Sequence, residues 1–167
     1  MYQIGLNNTY HRSAGPCYDD VDRDKSKKIS KEQHTYIQKC LNLAYKSNLT
    51  QKHGCVVVRK KKIISCGYNF KIHHQNTFNT FLVNNNNNNN NNNYDDKTES
   101  FSVHAEISTL KKVKKQDLTG CELYVVRLGP KSKFSEESNL KYSHPCKVCR
   151  SYIEDCGIKK VYYSINP

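Results

Sequence analysis

No apolar run in this 167-residue chain approaches the roughly 20 residues that a bilayer-spanning helix needs. Its first residues, MYQIGLNNTYHR, lack the apolar segment and small-residue cleavage site of a secretory leader. The expectation is a soluble protein, cytoplasmic or nuclear, with no membrane partner. Hydrophobic residues are scarce at 36%, but they gather in short runs, as in one folded domain with polar appendages. Acidic residues are also few, 15 against 27 Lys and Arg, for a formal charge of +12. That excess admits a polyanionic partner such as RNA, because basic side chains displace counterions from phosphate. It also fits a solvated lysine-rich surface, since the lysines at 60–62, within 111–115 and at 131–133 are not interleaved with aromatics. The eight cysteines occur singly or as one CxxC, a pattern of reduced thiols in a core or on a metal rather than of a disulfide scaffold.

Residues 1–29 mix Asp, Lys, Arg, Asn, Gly and Pro without apolar periodicity and read as a disordered polar tail. From Ser30 the pattern turns helical. Ser30 and Gln33 make a capping box, and Tyr36, Ile37, Cys40, Leu41 and Ala44 recur at helical spacing up to about Ser47. Between Gly54 and Gly67, two β-branched runs flank a lysine-rich turn and predict a hairpin. Residues 70–101 read as an insertion, with positions 84–93 all Asn, a low-complexity tract in a tolerant loop.

A second amphipathic helix is expected from Ala105 to Lys115, a strand from Cys121 to Leu128, a helix with Pro145 in its first turn stopping at Gly157, and a last strand from Ile158 to Ile165. Strands joined through helices tend to run parallel, so the order predicts a three-layer α/β/α sandwich with a mixed central sheet.

Two short segments carry chemistry. Ser102-Val-His-Ala-Glu106 and Pro145-Cys-Lys-Val-Cys149 each open a predicted helix, where free amides and the helix dipole favour a thiolate. His104, Cys146 and Cys149 make an N,S,S donor set of the kind zinc prefers. No second CxxC or paired-His motif supplies a fourth ligand, so the fourth position is left for water, whose pKa zinc lowers toward about 7. Glu106 is not needed as a ligand and is free to act as general acid and base. Alone, His104 reads as a histidine at a helix start, and the CxxC as a redox pair or half of a structural zinc site. The joint occurrence of HxE and PCxxC is the signature of zinc nucleobase deaminases.

From Ser30 onward the chain therefore resembles the cytidine and deoxycytidylate deaminase superfamily, which also contains tRNA adenosine deaminases. The resemblance implies a cytidine deaminase-like fold, one Zn²⁺ per chain held by His104, Cys146 and Cys149, and catalysis by Glu106. It also implies substrate contacts from Asn69, in the strand end Gly67-Tyr-Asn69, and from the backbone amide of Ala105. Asn69 has a humbler reading, because Asn often ends strands through its own hydrogen bonds. A histidine as first ligand resembles the deoxycytidylate and tRNA-adenosine branches more than the free-cytidine branch.

His144 stands where relatives often have Glu, and reads equally as a neighbour of the site or as a helix-capping residue. The chain ends at Pro167, just after the last predicted strand, without the further elements that in the family help shape the pocket or grip RNA. The implied activity is deamination of a cytosine-type base in a small-molecule nucleoside or nucleotide such as cytidine or dCMP. The alternatives are adenosine-to-inosine deamination of RNA or tRNA, and a catalytically silent zinc-binding subunit of a partner. A homo-oligomer is compatible with all three.

Overall fold

The chain folds as β1 (Ile4–Asn8), α1 (Lys31–Ala44), β2 (Lys52–Arg59), β3 (Lys62–Tyr68), β4 (Phe70–Ile72), β5 (Phe101–Val103), α2 (Ala105–Leu110), α3 (Lys115–Leu118), β6 (Glu122–Leu128), β7 (Leu140–Lys141), α4 (Lys147–Asp155) and β8 (Lys160–Ser164). The computed structural model describes residues 4–8, 29–72, 101–130 and 140–165, with backbone alone for 4–8. The Asn tract, His73, His74 and the lysines at 131–133 lie outside the described residues.

Local sequence accounts for the element starts. Ser30 Oγ accepts from the Gln33 N–H at 3.2 Å while Gln33 Oε1 accepts from the Ser30 N–H at 3.0 Å, so the capping box closes ahead of α1. The β2–β3 hairpin turns through Lys60 and Lys61, both at positive φ (47° and 64°), as a two-residue loop between right-twisted strands requires. The Tyr36 hydroxyl donates to the Lys61 carbonyl at 2.8 Å, tying that turn to α1.

The main sheet has the order β1-β8-β6-β2-β3, with β7 paired beside β6. β2 runs antiparallel to both β3 and β6, whereas β6 and β8 pair in parallel. The sheet is therefore mixed, as expected, but the crossover through α2 does not make parallel neighbours. β3 and β6 point the same way with β2 inserted between them.

Alternation along the central strands divides the interior in two. Val56 and Val58 of β2, with Tyr124, Val126 and Leu128 of β6, pack under α1. Cys55, Val57, Leu123 and Val125 face the opposite side and pack with Ala105, Leu110, Cys149 and Ile153 of α2 and α4. Among the described residues, one helix on one face and three on the other give the three-layer α/β/α sandwich.

Two glycines set the spacing of these layers. A Cβ on Gly54 would overlap the Cys40 carbonyl oxygen and lie 2.7 Å from the Ala44 nitrogen. One on Gly67 would meet Thr109 Oγ1 at 2.7 Å and Ser108 Oγ at 2.8 Å. Each helix thus rests against bare backbone.

Four sequence expectations are corrected. Residues 4–8, within the stretch read as a tail, form β1, antiparallel to β8; an edge strand draws its stability from backbone pairing and leaves little apolar signature. The ends of the 70–101 insertion pair with each other as β4 and β5, which closes the loop at its base. The expected Ala105–Lys115 helix stops at Leu110, and the short α3 starts at Lys115. Pro145 lies outside α4, before Cys146, which is the N-cap.

Candidate metal and catalytic site

The site lies on the α2/α4 face, where two helices begin. His104 is the N-cap of α2 and Cys146 the N-cap of α4, and neither side chain caps its own helix. The ring of the one and the thiol of the other stay available for other partners. Cys149 is one turn into α4 and buried, whereas His104 and Cys146 are exposed. The His104 Nδ1 lies 3.2 Å from Cys149 Sγ and 3.5 Å from Cys146 Sγ. All three donor atoms fall within 4.8 Å of one another.

Tetrahedral zinc, with Zn–S near 2.3 Å and Zn–N near 2.0 Å, holds such donors roughly 3.6 Å apart. The three residues therefore fit one zinc ion in both identity and spacing. Burial pushes the Cys149 thiol well up from its ordinary pKa, with Glu106 and Cys146 adding to the shift. A divalent cation among these donors opposes that shift and favours the thiolates.

The linker that delivers Cys146 is locked from below. Ser143 Oγ donates to the Val125 carbonyl at 2.9 Å and accepts from the Ser164 N–H at 2.8 Å. The Ser143 N–H in turn donates to the Ser164 carbonyl at 2.9 Å. β6 and β8 thus hold the segment leading to the α4 N-terminus, and Pro145 is buried within it.

Glu106 projects from the first turn of α2 and is only 4% exposed. Burial raises its carboxyl pKa, against smaller lowering effects from its backbone hydrogen bond, His104 and Cys149. Ala105 beside it is fully buried. Asn69 follows β3 and is turned to β2: its Oδ1 accepts from the His53 N–H at 2.7 Å, and its Nδ2 donates to the Gln51 carbonyl at 2.7 Å. The strand-ending behaviour of Asn69 is thus present, and it points the carboxamide toward the His53 ring, with Nδ2 3.5 Å from Nδ1.

Two residues that motif reading overlooked stand beside these groups. His53 and Arg127 are register partners on β2 and β6, two residues along from the Cys55–Val125 pair. Burial chiefly pushes the His53 pKa down to about 4, with Arg127 and His104 adding to the effect. The signal for both was strand alternation, since His53 shares a face with Cys55 and Arg127 with Val125. It becomes readable only once that face is known to carry the site. The described cysteines are all free thiols, and Cys40, Cys55, Cys121 and Cys156 are buried in the core.

Among the described residues no helix is long and apolar enough to cross a membrane. Residues 30–165 match the family model described as the cytidine and deoxycytidylate deaminase zinc-binding region. A comparison with curated proteins gives no match. Among solved structures, Acinetobacter baumannii RibD is similar with a TM-score of 0.41 and 19% identity, over 78% of this chain and 27% of that one. The chain thus spans about a quarter of that protein's length.

Proposed function

Because the chain belongs to the cytidine and deoxycytidylate deaminase zinc-binding family, we propose that it is a zinc-dependent hydrolytic deaminase acting on a cytosine-type base in a nucleoside or nucleotide. The observation that carries this reading is the meeting of His104, Cys146 and Cys149 at one point with the buried carboxyl of Glu106 in the adjoining turn. His104 through Nδ1 and the two cysteines through Sγ would hold the metal. Zinc bound there supplies the Lewis acidity that makes water a nucleophile near neutral pH.

The chain's own residues do the rest. Glu106, kept out of solvent, takes a proton from the attacking water and gives it to the ring nitrogen next to the amino-bearing carbon, then carries the added hydroxyl's remaining proton to the departing amine. Water's oxygen replaces the exocyclic nitrogen, so a cytosine-type base and water yield a uracil-type base and ammonia. Asn69 and the Ala105 amide would orient the base; Asn69 Oδ1, which accepts one hydrogen bond from the His53 N–H, keeps a second lone pair for it.

The test is ammonia release by zinc-loaded protein over cytidine, CMP, dCMP, adenosine and an RNA stem-loop. Glu106→Gln should lower turnover by about a hundredfold or more while zinc content is retained. Turnover of adenosine in RNA alone would transfer the same chemistry to a purine. Bound zinc with no Glu106-dependent ammonia from any substrate would support a silent partner subunit.

A further inference from the structure

We infer that Arg127, together with the stacked rings of Tyr142 and His144, forms a subsite for the phosphate and an adjoining ring of a nucleotide, so that the substrate reaches this site phosphorylated. The inference rests on the deaminase reading above and specifies its substrate class.

Position comes first. Arg127 alternates to the same sheet face as Leu123 and Val125, which pack against α4. The Cys55–Val125 rung lies beside the site, because Cys55 and Val125 pack in one cluster with Ala105 and Cys149. The His53–Arg127 rung is two residues further along, about 7 Å at the rise of a strand. The His53 N–H donates to Asn69 Oδ1 at 2.7 Å, which ties this rung to the end of β3.

Among the described residues Arg127 is under-used. Its Nη1 donates to the Tyr142 carbonyl at a long 3.5 Å, while its Nε is buried and has no hydrogen-bond partner among the described residues. Leaving a buried donor unsatisfied is unfavourable. A guanidinium is built to bind two oxygens of one phosphate through paired N–H groups, and such a ligand would satisfy the orphaned Nε.

An aromatic surface adjoins it. Tyr142 and His144 lie with rings 8° from parallel and centroids 5.9 Å apart, and both meet Tyr163 edge-on at 82° and 84°. Tyr142 remains 47% exposed. These rings sit on the linker that ends at Cys146, His144 standing two residues before that donor. The stretch 140–153 carries Lys141, Lys147 and Arg150 and no acidic residue. Flat aromatic surface with cationic neighbours is the combination that binds nucleotides by stacking and phosphate contact.

The decisive measurement is calorimetric binding to zinc-loaded Glu106→Gln protein, comparing cytidine with CMP, adenosine with AMP, and a short single-stranded RNA. The preferred monophosphate should bind about tenfold or more tightly than its nucleoside. In Arg127→Met that ratio should collapse toward equality. Because the ratio is read within one protein, a general loss of fold cannot imitate the result. Should Arg127→Met not fold, Arg127→Lys keeps the charge without the two-pronged contact and should lower the ratio part-way.

Tyr142→Ala separates the sources of phosphate: a strand ligand is weakened more than CMP, whereas a mononucleotide site is weakened alike for both. Equal binding of nucleotide and nucleoside, no binding of either, or a ratio untouched by Arg127→Met would overturn the subsite. Ammonia release from the Glu106 protein is scored separately. Deamination without phosphate preference sinks the subsite alone, and phosphate-dependent binding without ammonia sinks the deaminase reading alone.

Discussion

His53, the register partner of Arg127, has its pKa pushed down to about 4, chiefly by burial, and is neutral at pH 7. The unfolded chain protonates this group near the ordinary 6.5, so between the two values the unfolded state binds more protons. Stability from His53 is then fully present above about pH 6.5 and is lost as pH falls toward 4. The contribution is on the order of 2–3 kcal/mol at neutral pH. Urea titrations at pH 7 and pH 5 should show a smaller pH-dependent loss in His53→Gln than in the parent. An unchanged loss would mean that other groups carry the acid sensitivity. At this scale the His104, Cys146 and Cys149 donor set was legible in the chain, because metal chemistry fixes its residue types and spacing. His53 and Arg127 were not, because a lone His and Arg in strands carry no motif.

Among elements, the contact of α1 with β2 depends on the missing side chain at Gly54. A Cβ there would collide with the Cys40 carbonyl and press on the Ala44 nitrogen, both main-chain atoms of a helix. Gly54→Ala should therefore cost about 1–3 kcal/mol through displacement of α1. Equilibrium denaturation measures this, and a cost near zero would show that the helix can retreat freely. The capping box was readable from Ser30 and Gln33, since it is a contact between near neighbours. The end of α2 at Leu110 was not, because Lys111 to Lys114 keeps an apolar residue, Val113, at a helical position. Likewise β1 was hidden by its polar composition, its existence depending on β8 as a pairing partner.

For the molecule as a whole, metal and fold should be linked. The three donors come from the starts of two helices separated by the whole of β6 and β7, so an ion bound to them ties α2 to α4. An unfolded chain offers no such cluster, and binding energy becomes stability. Chelation should lower the melting temperature by roughly 10 °C, by scanning calorimetry. Cys149→Ser should blunt that response, and an equal response in the variant would place the stabilising metal elsewhere.

By itself the sequence determined the chemistry on offer: an N,S,S donor set, a carboxyl two residues from the histidine, and alternating helices and strands. These are properties of neighbours along the chain, set by side-chain identity and local periodicity. Only the tertiary structure decided which other groups share the site. Strand order, antiparallel register between β2 and β6, and the path of the linker into α4 bring His53, Arg127, Tyr142 and His144 to one edge. Such meetings depend on contacts between residues far apart in sequence, and their energies are spread over the packing of whole layers.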